Sequence, residues 1–268
     1  MTDSTWSEAD SEVYRRLAQV AVPEREGLMA TLLALVPFGE GEAFRAVELG
    51  SGEGYLSRAL KEAFPTVEVL ALDGSSSMRQ ATAARLAPCG ERGRVGSFEL
   101  AEAEWRSQLS GSHLVFSSLC IHHLDEAGKQ QLLADVFAAL EPGGALLFID
   151  LVEPASSRGR ELFAEQWDES TQRRSREKLG DDRAFGDFLR ERWNHYRFPD
   201  PVDQPSSLPE LLNSLRHCGF EGADCFLLVA GHAVVGGYKP QAGSGAPSLT
   251  GHRISLARAR QAVASALA

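Results

Sequence analysis

Two stretches of this chain carry residue types that could do chemistry. The first is Glu48-Leu49-Gly50-Ser51-Gly52-Glu53-Gly54. It ends an apolar run from Ala46 that one carboxylate interrupts, and a helical pattern begins at Tyr55. Glycines let the backbone approach a ligand and take a positive φ, where a side chain would forbid both. A strand, a glycine turn and a helix N-terminus, in that order, open a nucleotide-binding α/β domain. A dinucleotide fingerprint, Gly-x-Gly-x-x-Gly, would need its third glycine at position 55, which is Tyr55. Asp73 ends the next apolar run, about 20 residues past the turn, where a carboxylate can accept from both hydroxyls of a ribose. An acid before Gly74 is also an ordinary turn former. The second stretch is Ser117-Ser118-Leu119-Cys120-Ile121-His122-His123-Leu124, which closes another apolar run. A neutral imidazole at pH 7 can take a proton from an oxygen or nitrogen nucleophile. A structural pair, one ring buried and one solvated, is the other reading.

The run Glu48-x-Gly50-x-Gly52-x-Gly54 closely resembles motif I of the class I S-adenosylmethionine-dependent methyltransferases. The strand ending Ser117-Ser118-Leu119-x-x-His122-His123-Leu124 resembles motif IV of the bacterial small-molecule members. Leu140-Glu141-Pro142-Gly143-Gly144 resembles the turn before their fifth strand. The resemblance covers residues 45–153 by motif and 208–239 by topology. It implies S-adenosylmethionine as cofactor and S-adenosylhomocysteine as product. It implies cofactor contacts at Glu48, Gly50, Ser51, Gly52, Gly54, Asp73, Met78, Glu102 and Ser118. Met78 reads equally as core packing. Glu102 stands where Asp is more usual, with Glu104 or a solvated helix start as alternatives, and His113 replaces the Asp that usually opens the fourth strand. The implied reaction is direct displacement of a methyl group onto a small-molecule acceptor, with oxygen or nitrogen favoured. His122, His123 and His195, in that order, are the candidate bases. No cluster with metal-ligand spacing is visible, so no metal is expected.

Around these residues the pattern predicts an α/β fold. It is a Rossmann-like, doubly wound, seven-stranded sheet, mostly parallel, with a reversed C-terminal hairpin and a helical cap. Residues 1–40 are read as an N-terminal helical lid. Its apolar stripe is Leu28, Leu32 and Leu35, with Tyr14 and Arg15 as possible contacts. Residues 41–153 form the cofactor-binding core. Residues 154–205 are a charged, aromatic, helical insertion that would roof the acceptor pocket. Trp167, Trp193, Tyr196 and Arg197 are its candidate substrate contacts, since aromatic walls suit a planar acceptor and arginines a carboxylate. For most of its arginines simple solvation is the plainer reading. Residues 206–239 end the core sheet. Residues 240–268 are a Gly/Ser/Pro linker and a basic, Ala-rich tail, read as disordered or as packing on a partner subunit.

Composition sets the outer bounds. The chain has 268 residues and a formal net charge of −10, which disfavours sequence-independent binding to a phosphate backbone. Cys89, Cys120, Cys218 and Cys225 form no Cys-x-x-Cys pair, so neither a zinc nor a redox motif is present. The acidic, polar start is unlike a signal peptide, and no apolar run reaches the length of a membrane span. These features predict a cytoplasmic monomer or homodimer with a small-molecule partner, no nucleic acid and no membrane. Two other classes stay open. One is a non-catalytic S-adenosylmethionine-binding scaffold or regulator. The other is an RNA methyltransferase, which the absence of an Asn/Asp-Pro-Pro-Tyr motif and of a basic face disfavours. A nicotinamide-dependent oxidoreductase lacks both its glycine and its Tyr-x-x-x-Lys pair.

Overall fold

The computed structural model describes residues 8–241 and 253–268. Two helices come first, α1 (Glu8–Ala21) and α2 (Arg25–Leu35). Strand β1 (Arg45–Leu49) leads through the glycine turn into α3 (Tyr55–Ala63). Then come β2 (Glu68–Asp73), α4 (Ser76–Leu86), β3 (Gly93–Ser97) and β4 (Ser112–Ser118). Helix α5 (Glu126–Ala139) precedes β5 (Leu140–Leu151). The insertion forms α6 (Ser157–Leu179) and α7 (Arg183–Arg190). The chain returns through α8 (Leu208–His217), β6 (Glu221–Val229) and β7 (His232–Tyr238), and ends in α9 (Leu256–Leu267).

Local chemistry starts the helices. Ser75 caps α4 by accepting from Met78 N, and Asp125 caps α5 by accepting from Gly128 N. Ser207 and Glu210 make a reciprocal capping box at the start of α8. The Pro-Gly-Gly segment at 142–144 is drawn into β5, which pairs from Leu140 onward with a register shift opposite Ser112–Leu114.

The sheet runs in the order β3-β2-β1-β4-β5-β7-β6. β1 pairs in parallel with β2 and β4, while β7 is antiparallel to both β5 and β6. Winding therefore reverses between β1 and β4, and the crevice outside their carboxyl ends is where such sheets bind ligands. Alternate residues of each strand feed two cores. Ala46, Leu114, Phe116 and Leu147 face α2, α3 and α9. Val47, Leu49, Val115 and Phe148 face α5 and α8. A third cluster joins Leu17 and Ala21 of α1 to Ala164, Trp167 and Phe188 of the insertion, and to Leu151 at the end of β5. α1 belongs to this roof, while α2 packs on the sheet and is tied to α6 by the Arg174–Glu26 ion pair. Among the described residues no helix is long and apolar enough to cross a membrane.

The tail corrects the expectation of disorder or partner packing. Ala259, Ala262, Val263 and Ala266 are buried in the core beside α2 and α3. Small residues at helical spacing let α9 sit close on that face. A carboxylate at position 263 would be buried without a partner, whereas position 260 is exposed. Val263→Asp should cost about 3 kcal/mol or more in denaturant unfolding, and Arg260→Asp about 0.5 kcal/mol or less. Equal values for the two would show that α9 is not part of the core.

Candidate active site

The glycine turn leaves the carboxyl end of β1 at the switch point. Gly50 has φ +67°, and a Cβ there would lie 2.6 Å from Cys120 Cβ, so the turn presses on the loop after β4. Gly54, at φ +79°, begins α3 against Thr82 of α4, where a Cβ would meet Thr82 Cγ2 at 2.9 Å. Gly52 N donates to Asp73 Oδ2 at 2.7 Å, and Ser75 N donates to Asp73 Oδ1 at 2.9 Å. Burial raises the Asp73 pKa, and these two N–H groups oppose that rise. Glu48 is 1% exposed and accepts from Ser57 Oγ. Burial pushes its carboxyl up to about 8.

The turn, Asp73, Met78, Phe98, Leu100 and Ser118 line a cleft of about 340 Å³. Glu8 of α1 also borders it. Its carboxylate accepts from Ser77 Oγ at 2.7 Å, Ser75 Oγ at 2.8 Å and Ser76 N at 2.6 Å, which lowers its pKa to about 2. The first turn of α1 is thereby held to the N-terminus of α4.

A second cavity, of about 190 Å³, adjoins the first and shares Tyr14, Val22, Leu119 and His123 with it. Leu119 adopts φ +54°, a left-handed conformation that costs on the order of 1 kcal/mol in a non-glycine residue. Its N–H donates to Ile149 O at 2.8 Å, which fixes that turn at the end of β4. His122, Trp193, His195, Asp203 and His232 are among the other walls.

The histidines converge on carboxylates. Asp150, at the end of β5, accepts from His122 N at 3.0 Å and bonds to His122 Nδ1. His122 Nε2 lies 3.3 Å from Asp203 Oδ1, His123 Nδ1 lies 3.3 Å from the same oxygen, and His195 Nδ1 lies 3.4 Å from Oδ2. Burial alone would lower the His122 pKa, but the two carboxylates overcome it and raise it to about 10. Both ring nitrogens of His122 thus face carboxylates, Nδ1 toward Asp150 and Nε2 toward Asp203. Burial would also raise Asp203, yet the surrounding histidines hold it well below the usual carboxylate range. His232 differs. Its Nδ1 lies 3.0 Å from Ala230 O, burial lowers its pKa to about 4, and its Nε2 has no hydrogen-bond partner.

Other expected contacts are placed differently. Glu102 is exposed, because its N–H donates to Glu99 O at 2.9 Å and the turn carries it outward. Glu99, Leu100 and Ala101 face the cleft in its stead. Tyr196 is a core residue whose hydroxyl lies between two acceptors for its one proton, Val152 O at 2.9 Å and Gly231 O at 2.8 Å. Trp167 borders the second cavity, but its Nε1 is spent on Ala21 O at 2.6 Å. Arg197 lies outside both cavities and pairs with Asp168. Arg15 faces Glu53 at 3.4 Å. Asp150, Asp203 and His232 escaped sequence reasoning, since no local spacing links them to the His122-His123 pair.

Glu48 gives this site a pH signature. Folding raises its pKa from the ordinary value near 4.5 to about 8, so the folded chain binds a proton that the unfolded chain has lost. Stability should therefore fall as pH rises through that window and level off above it. Glu48→Gln should remove this component, and denaturant titrations at pH 5, 7 and 9 would show a flatter profile than wild type. Parallel profiles would mean that the carboxyl is ionised throughout.

Residues 47–146 match the family model described as a methyltransferase domain. The chain is 35% identical over 135 residues to a trans-aconitate 2-methyltransferase of Variovorax paradoxus, covering 50% of this chain and 46% of that one. It is 31% identical over 119 residues to a trans-aconitate 2-methyltransferase of Streptomyces avermitilis, covering 44% and 43%. The match spans a little under half the length of these relatives. An O-methyltransferase family protein from Burkholderia thailandensis has the same fold, with a TM-score of 0.58 at 15% identity over 88% of this chain and 60% of that one. The glycine turn, the helix after it and the acid on the neighbouring strand all lie inside the segment, residues 47–146, that matches a methyltransferase domain.

Proposed function

We propose that this chain transfers a methyl group from S-adenosylmethionine to a small molecule held in the second cavity. One observation carries the reading: two cavities meet at a wall made by Leu119, His123, Tyr14 and Val22. The first cavity suits the cofactor. A Cβ on Gly52 would project toward it, with Tyr14 Cε1 the nearest atom at 3.9 Å, so the turn leaves room for a ligand where a side chain would stand. Asp73 offers carboxylate lone pairs to ribose hydroxyls, and Met78, Phe98 and Leu100 offer an apolar slot to a base. When bound, S-adenosylmethionine supplies a methyl on a positively charged sulfur, displaced directly so that the bonding pair stays on sulfur.

The chain's own part is alignment and exclusion of water, which can lower a barrier by several kcal/mol. Leu119 and His123 set the line between the cavities. The α1–α6–α7 roof closes over it. His232, held neutral, offers Nε2 as a proton acceptor to an oxygen or nitrogen nucleophile, and His123 and His195 also line the cavity. Trp193 and Phe198 suit a planar body. The relatives' names point to a carboxylate acceptor. Here such a group would face Arg192 and the histidines, against the side chains of Asp10, Glu191, Asp200 and Asp203. That balance favours an acceptor with one acidic group or none over a tricarboxylate.

The test is release of S-adenosylhomocysteine with a panel of phenolic, hydroxy-acid, amine and carboxylate acceptors. Binding without release for every acceptor would favour a non-catalytic cofactor binder. Asp73→Ala should weaken cofactor binding about tenfold or more in calorimetry, and an unchanged affinity would remove Asp73 from the site. His123→Ala should lower kcat by about a hundredfold or more, as loss of a base or an aligning group does, while cofactor Kd changes little. Loss of cofactor affinity with kcat intact would place His123 on the wrong side of the wall.

A further inference from the structure

We propose that His122, His123 and Asp203 bind one divalent first-row metal ion of the zinc type, with a fourth position open, on the acceptor side of the wall. The ion's use in catalysis rests on the methyltransferase reading, whereas its binding does not.

The donor geometry is that of a coordination shell. Donor atoms of His122, His123 and Asp203 all lie within 4.8 Å of one another. Asp203 Oδ1 is 3.3 Å from both His122 Nε2 and His123 Nδ1, and Asp203 Oδ2 is 3.4 Å from His195 Nδ1. A tetrahedral ion with bonds of about 2.0–2.1 Å separates neighbouring donors by about 3.3–3.4 Å. Charge-assisted hydrogen bonds between such groups close to about 2.7–2.9 Å. His195, 5% exposed, stands behind the carboxylate, with its Nδ1 facing the other oxygen, Asp203 Oδ2.

Outer contacts hold these ligands in place. Asp150 fixes the His122 ring through Nδ1, which turns Nε2 toward Asp203 in the manner of a carboxylate–histidine–metal arrangement. The loop carrying Asp203 is pinned by Gln204 N donating to His122 O at 2.8 Å, and by Lys129 Nζ donating to Ser206 Oγ at 2.7 Å. Two carboxylates around the rings favour a dication. Two imidazoles and one carboxylate suit zinc, cobalt, nickel or ferrous ions, and not magnesium or calcium.

His123 stands on the shared wall, so the ion faces the acceptor. The acceptor class that uses it is a hydroxyl compound such as a phenol, enol or hydroxy acid. Its oxygen binds the ion and its proton is lost to solvent, because a Lewis acid stabilises the oxyanion. The oxygen lone pair then forms the O–CH3 bond as the S–CH3 bond breaks and its pair stays on sulfur.

The test uses the untagged full-length chain, stripped with chelator and loaded with cobalt(II). Elemental analysis after desalting should give about one cobalt per chain, with the intense visible bands of a tetrahedral site. Asp203→Asn and His123→Ala should each weaken binding about tenfold or more. His217→Ala, exposed on α8, should bind like wild type. Circular dichroism and S-adenosylhomocysteine calorimetry establish that the variants are folded. Failure of wild type to retain cobalt, or equal retention by the folded Asp203→Asn and His123→Ala variants, overturns the site. Methyl transfer without cobalt retention sinks the site and leaves the methyltransferase reading standing. Cobalt bound with no transfer to any acceptor keeps the site and sinks that reading. Transfer undiminished after stripping overturns the ion's role in catalysis.

Discussion

The contact on which both cavities depend is the one between Asp150 and His122. Asp150 closes β5, and His122 opens the turn that leaves β4. One carboxylate holds both the main-chain N–H and the ring of His122. That grip sets residues 121–123, hence the position of His123 in the wall, and through His122 O it also seats the loop that returns from the cap. Removing one partner of such a buried charged pair typically costs about 3–5 kcal/mol, because the other charge is left unanswered. The sheet thus delivers two adjacent strand ends to the same height, and a single side-chain pair converts that register into a partition.

Acids sit on both sides of the partition in different states. Glu48 is buried with one hydroxyl partner and tends to stay protonated. Asp73 is stabilised by two N–H donors from the turn and from the start of α4. Asp203 is surrounded by imidazoles and is strongly ionised. The three carboxyls differ because their partners differ: a hydroxyl, two amides, and a set of cations and rings. Each environment is a product of the topology more than of the residue itself.

The cleft of the glycine turn was legible because its signals are local. The turn and the acid on the next strand follow from spacing within single βα units, whereas the seven-stranded order came with the family resemblance. The acceptor side was not, and each miss has a physical reason. Glu102 depended on a turn that folds back on Glu99. Trp167 and Tyr196 have the composition of a pocket wall, but aromatic type alone does not separate a wall from the cluster that supports it. Asp203 reaches the histidines only through contacts with Lys129, Gln204 and Ser206, which lie far apart in the chain. Alanine spacing in α9 was readable, yet the linker-like residues before it made the tail look detached.

The insertion enters and leaves the core at neighbouring points. Glu153 N bonds to Ser206 O at 2.9 Å, and Glu153 pairs with Ser207 as a parallel bridge. The excursion between them is therefore a closed loop whose base is clamped, and lengthening it costs only slowly growing closure entropy. Strand register, the glycine turn and Asp73 lie wholly outside that clamp. A change in the length or sequence of the excursion would consequently leave all three where they are.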